Sequence, residues 1–115
     1  MDFSQLDEFS KELKQLLKKY RSLNSDLDLL KGYLALYPRG NPPRIYQISN
    51  LGIQTEIFKV KQFRCQSMKG KGSLSGIRIV YALFPEPRKI EFVEIYYKEK
   101  DDTDCDKDRI RKHYS

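Results

Sequence analysis

Two runs of β-branched and aromatic residues, Gly76 to Leu83 and Lys89 to Lys98, are separated by little more than Pro85-Glu86-Pro87-Arg88. Apolar alternation on both sides of a proline-rich turn predicts an antiparallel hairpin. A third run, Ile57 to Arg64, has the same period and supplies a partner strand, and Ile45 to Ile48 reads as a short edge strand before the Asn50-Leu51-Gly52 turn. Lysine and arginine recur inside these strands. A sheet with cations in mid-strand turns one face toward water or an anion, and function is to be sought on that face.

The charge distribution supports this. Residues 38–98 carry 11 Lys/Arg against 4 Asp/Glu, whereas residues 1–37 balance at 6 and 6 and residues 99–115 carry 5 against 6. The excess positive charge of the chain therefore belongs to the sheet region, which fits a polyanion or an acidic partner chain better than general solubility.

Ahead of the sheet, Phe3, Leu6, Phe9, Leu13, Leu16, Leu17 and Tyr20 recur at intervals of three and four. They predict a helix from Ser4 to Arg21 with acids early and bases late, as the helix dipole prefers. A second helix is predicted from a Ser25 cap, with Asp28 completing a capping box, up to Tyr37, where Pro38 ends it. In the tail, Asp101-Asp102-Thr103-Asp104 reads as an acidic helix start, with Ile110 and Tyr114 on one face. The expected fold class is α+β: a single domain, residues 1–115, with a helical pair over about 4–37 packed on one face of a small antiparallel sheet over about 45–98, then a short, helix-patterned tail over 99–115.

Strand parity sorts the faces. Phe58/Val60, Ile77/Ile79/Tyr81 and Val93/Ile95/Tyr97 are expected under the helices. Lys59, Lys61, Arg78, Glu94, Tyr96 and Lys98 are expected on the opposite face, with Ile90 and Phe92 as its apolar floor and Arg64 on the helix-side parity. Cys65 and Cys105 have no metal-site spacing, and His113 is the only histidine, which disfavours a zinc site or a histidine triad. No cofactor or metal is expected. No run reaches transmembrane length and the N-terminus has no signal-peptide pattern, so the expectation is a cytoplasmic protein with no membrane partner.

The Lys-Lys-Tyr-Arg-Ser-Leu segment closing the first helix, the Phe-Lys-Val-Lys strand, the Gly-Ile-Arg-Ile-Val-Tyr strand and the Ile-Tyr-Tyr-Lys ending together resemble the RelE/ParE superfamily of bacterial toxin–antitoxin toxins, closest to its RelE/HigB-like branch. The resemblance covers roughly residues 9 to 102. It implies a ribosome-dependent mRNA endonuclease that inhibits translation, uses no metal, and is neutralised by a cognate antitoxin; its partners would be that antitoxin, the ribosome and mRNA. The alternatives are a ParE-like inhibitor of DNA gyrase that is not a nuclease, and an inactive toxin-like binding protein. The catalytic positions implied are Arg78, Lys59, Lys61, Tyr96 and Lys98, with Arg64, Lys69, Lys71 and Lys100 as RNA-binding positions. The chain departs from RelE proper in having no arginine at the third-strand ending, and from the YoeB branch in having no histidine near the sheet.

The chemistry behind these positions is simple. Attack of a 2′-hydroxyl on phosphorus asks for a base, an acid and positive charge around the phosphorane. An arginine fork suits the phosphate oxygens. A lysine crowded by other cations can lose its proton, which nominates Lys59 or Lys61 as base. Tyr96 is expected to stack on a base or donate a proton.

Overall fold

The computed structural model describes residues 1–72, 74–98 and 104–115. Elements run β1 (Asp2–Gln5), α1 (Asp7–Leu17), α2 (Leu23–Leu36), β2 (Ile45–Ile48), β3 (Glu56–Val60), β4 (Ile77–Phe84), β5 (Lys89–Tyr97) and α3 (Lys107–Tyr114). The sheet order is β1-β5-β4-β3-β2. The predicted β4–β5 hairpin, the β3–β4 pair and the edge strand β2 are all present and antiparallel.

The first helix is shorter than predicted. Residues 2–5 form a strand that pairs in parallel with β5, Phe3 opposite Ile90 and Gln5 opposite Phe92, so the sheet has a fifth strand of opposite sense. Phe3 stacks against Phe92 at 6.1 Å between ring centroids, and Ser4 Oγ donates to Glu91. One apolar residue in four does not reveal a strand, whereas Phe3 also extends the helical stripe; edge pairing overrides that local signal. The predicted start of α2 is likewise corrected. The helix begins at Leu23, and Ser22 bonds Asp26 through its side chain at 2.6 Å instead of capping the helix. Ser25 lies exposed within the helix.

Helices α1 and α2 cover one sheet face. The core between them holds Phe9, Leu13, Leu23, Leu27 and Leu34 against Phe58, Val60, Ile77, Ile79, Tyr81, Ile90, Phe92 and Ile95. The opposite face carries a second apolar cluster of Leu51, Ile57, Val80, Ala82 and Val93, sealed by Cys105 and Ile110 from the tail, with Tyr114 packed alongside. The helical tail places Ile110 and Tyr114 together as predicted, and it closes half of a face expected to be open. Its cap is Asp106, whose carboxylate accepts from the Arg109 N–H at 3.0 Å.

The connection from α2 to β2 turns on Gly40, at φ +60°. A Cβ there would lie 2.3 Å from Cγ2 of Ile45, itself only 1% exposed. Gly40→Ala should therefore lose about 2–3 kcal/mol from the left-handed backbone and the clash together. Urea unfolding followed by circular dichroism measures it, and a midpoint equal to the parent's would contradict the turn geometry.

Candidate functional site

One irregularity sets the site. Along β4 and β5, Val80 pairs with Glu94 but Tyr81 pairs with Phe92, so Val93 is an extra residue in β5. Two residues of the bulged strand then face one on the partner, and alternation restarts beyond them. Val93 and Glu94 both fall on the tail side, while Phe92 and Ile90 move to the helix side. There they are 0% exposed, so the expected apolar floor of the basic face lies in the main core instead, and Val93 leaves the helix side for the tail cluster. On the other side of the bulge, Ile95 packs under the helices as predicted, whereas Tyr97 keeps that parity but lies at the margin, 38% exposed, beside Tyr20 with ring centroids 6.3 Å apart.

The tail-side face has two ends. At the α3 end, Glu94 is buried and accepts the Asp106 N–H at 2.8 Å; burial pushes its carboxyl above the ordinary range. Arg109 forks onto Glu12 of α1 at 2.8 and 2.9 Å and also donates to the Val93 carbonyl at 2.9 Å. Those bonds cross the edge of β5 beyond the point where β1 stops pairing. His113 meets Glu8 at 2.9 Å, and Tyr114 donates to Glu91 at 2.6 Å. α3 is thereby fastened to both α1 and β5.

At the other end lie the predicted cations. Arg78 is half-buried on β4, directly opposite Tyr96 on β5, and its side chain makes no hydrogen bond or ion pair with any of the described residues. Lys98 lies two positions beyond Tyr96, next to the strand end, where its N–H donates to Gly76. Lys61 is exposed just past the end of β3. Lys59 is different. It is 7% exposed, and its ammonium bonds Asp104 at 3.0 Å and lies 5.7 Å from the centre of the Tyr96 ring. Burial pulls its pKa down, but the Tyr96 phenol and the Asp104 carboxylate outweigh that and hold it above the ordinary lysine range. A lysine held protonated is not a general base, so that expected role does not suit Lys59. Tyr96 is half-buried with its oxygen shielded from solvent and without a well-formed hydrogen bond among the described residues. Burial raises its pKa, with Lys59 opposing. The ring packs against the tail-side cluster with the Lys59 ammonium over it, and its shielded oxygen is poorly placed to donate a proton directly.

The remaining predicted positions do not join this cluster. Arg64, Lys69 and Lys71 are exposed on the segment after β3, and Arg64 lines a cavity on the helix side of the molecule. That segment is tied down by reciprocal bonds between Ser22 and Ser67 and by the Gln66 N–H to Asp26. Lys100 lies outside the described residues. Two participants were not singled out from sequence. Tyr46 pairs with Lys59 across β2–β3, placing a second tyrosine on this face, and Asp104 is the carboxylate that neutralises Lys59. The alternation of β2 signals the first. The second is a contact across 45 residues with no local signature.

The Asp104 bond has a pH consequence. The Lys59 ammonium and the Cys105 N–H hold its carboxyl down from 3.8 to about 2. A carboxyl whose pKa is lower folded than unfolded adds stability that is complete above pH ~4 and disappears as pH falls toward 2. Asp104→Asn should melt below the parent at pH 6, with the two melting curves converging near pH 2. A gap that stays constant across that range would show that the pair contributes through packing alone.

Among the described residues, no cluster of three metal-ligating side chains is present and no helix is long and apolar enough to cross a membrane. No protein-family model matches the chain, and no curated protein matches it in sequence. Its architecture does have a counterpart among solved structures. A chain of the crystal structure of the archaeal RelE-RelB complex from Pyrococcus horikoshii OT3 superposes with a TM-score of 0.59, covering 86% of this chain and 96% of that one at 11% identity. The fold is RelE-like. At that identity the likeness is one of architecture: N-terminal helices on one face of an antiparallel sheet, which is the expected fold class.

Proposed function

We propose that the chain is a RelE-type toxin that cleaves mRNA on the ribosome and is held inactive by an acidic antitoxin. The observation that carries this reading is the pairing of Arg78 with Tyr96 across β4 and β5, at the end of the tail-side face away from α3, with Lys61 and Lys98 beside it. A half-buried arginine with no carboxylate partner among the described residues is placed to receive a phosphate. Tyr96 offers a ring on which a nucleobase stacks. In the reaction, the 2′-oxygen bonds to phosphorus and the bond to the 5′-oxygen breaks. Arg78 holds the charge that develops on the phosphorane, and the exposed Lys61 and the half-buried Lys98 exchange protons with the incoming and leaving oxygens. Lys59, paired with Asp104, sits beneath the site and supports the Tyr96 ring.

A second reading, a toxin-like protein that only binds, draws on the Lys59–Asp104 bond, which removes one lysine from proton transfer. Addition of the purified protein to a translating extract separates the readings. Cuts within ribosome-bound codons are expected; gyrase poisoning or an intact message would reject the nuclease.

A further inference from the structure

An exposed apolar strip lies away from the cationic face. Leu29, Leu36 and Tyr37 are 67%, 75% and 57% exposed, and with Tyr33 they form a strip along α2 and its end. Their spacing of four, three and one puts them on one side of the helix. At its start the strip opens into a cavity of about 170 Å³ between α2 and β2–β3, walled by Leu29, Leu30, Tyr33, Ile45 and Phe63. A void of ~150 Å³ with apolar walls accepts a benzene ring, so this one has room for a single aromatic or aliphatic side chain.

Two further observations say what enters. Arg44 and Arg64 both line this cavity, and neither is paired with a carboxylate among the described residues. Asp26, 3% exposed, also lines it; Oδ2 is occupied by Ser22 and Gln66, but Oδ1 is buried without a hydrogen-bond donor. A buried acceptor left unpaired is costly, and because this oxygen is closed to solvent, a chain that seats in the cavity relieves it with an N–H or hydroxyl only by shifting the cavity wall.

The geometry points to this groove as the docking site for an acidic segment of a separate polypeptide, one apolar side chain seated in the cavity, its carboxylates on Arg44 and Arg64, and a donor on Asp26. The inference rests on the reading of this chain as one half of a two-protein system, and it places the partner's anchor on the helix side rather than over Arg78. A central anchor in a desolvated pocket, with charges at the rim, is the arrangement that concentrates binding energy.

The probe is a set of fluorescein-labelled, glutamate-rich 14-residue helical peptides that differ only in carrying Leu, Phe or Ala at one central position. Fluorescence anisotropy with the whole protein should show the Leu or Phe peptide binding at least tenfold tighter than the Ala peptide. Arg64→Glu should weaken that binding about tenfold, and Leu29→Asp should do the same. Arg78→Ala should leave it unchanged, so that loss of RNA cleavage and loss of docking are read separately. Failure of all three peptides to bind, equal binding of all three, or binding abolished by Arg78→Ala would overturn the assignment. So would sedimentation showing a self-dimer that Leu29→Asp dissociates, since a second copy would then occupy the strip.

Discussion

Arg78→Ala is expected to cut the single-turnover cleavage rate on programmed ribosomes by about a hundredfold while leaving the melting temperature within a degree or two of the parent. The two halves of the result have separate causes. Arg78 is half-buried on the tail-side face, and its strand neighbours Ile77 and Ile79, both 0% exposed, supply the packing under the helices. Removing a side chain with no bonded partner among the described residues leaves no buried group unsatisfied, and such substitutions usually change stability by less than about 0.5 kcal/mol. The rate falls because a charge-assisted contact to the phosphorane is lost. A loss of about 3 kcal/mol corresponds to roughly a hundredfold. Arg78→Lys should recover only part of it, because an ammonium lacks the planar fork. Lys98→Ala, at the strand end, should cost less. A folded Arg78→Ala protein that cuts at the parent rate would remove Arg78 from the proposed site, whereas an unfolded one would contradict the burial just described.

Much of the architecture could be read from period and punctuation. β2 has the predicted limits, β4 and β5 lie within a residue of theirs, and α1 and α3 show the predicted stripe, because in these segments local pattern and tertiary burial agree. β1 was not legible. Four residues with one half-buried aromatic carry no period of their own, and their pairing is decided by the free edge of β5, 84 or more residues away. Strand parity placed Arg78, Tyr96 and Lys98 on the face opposite the helices, where they are found. It also placed Lys59 there, but could not show that Asp104 would neutralise it or that α3 would cover the adjoining half of the sheet. The first is a contact across 45 residues, and the second depends on α3 packing back over Val93 and Glu94, which no local pattern announces. The docking groove was invisible for a different reason. Leu29, Tyr33 and Leu36 widened the apolar stripe of α2, which is the signature of a more deeply buried helix, and only the packed structure shows that part of that stripe has nothing over it.

Phe92 is where the two accounts of β5 differ most in consequence. Uninterrupted alternation puts its ring beside Tyr96 on the open face, where truncation to alanine would cost well under 1 kcal/mol. The extra residue at Val93 puts it in the main core instead, 0% exposed, stacked on Phe9 at 5.4 Å and Phe3 at 6.1 Å and meeting Tyr81 edge-on at 6.4 Å. This aromatic group joins β1, α1, β4 and β5, so the cavity left by Phe92→Ala has no single element free to collapse into it. The expected loss is about 3–5 kcal/mol, at the upper end of core truncations. For a chain of this length that lowers the melting temperature by roughly 10–20 °C. Calorimetry of Phe92→Ala beside Val93→Ala gives the sharper comparison. Val93→Ala empties a smaller volume in the tail-side cluster and should cost about 1–3 kcal/mol, loosening α3 before the rest of the fold. Hydrogen exchange should then show faster opening of residues 107–114 in Val93→Ala, and uniformly faster opening of the sheet in Phe92→Ala. A Phe92→Ala protein as stable as its parent would mean that β5 carries no bulge, and that Phe92 and Ile90 lie on the face of Tyr96 after all.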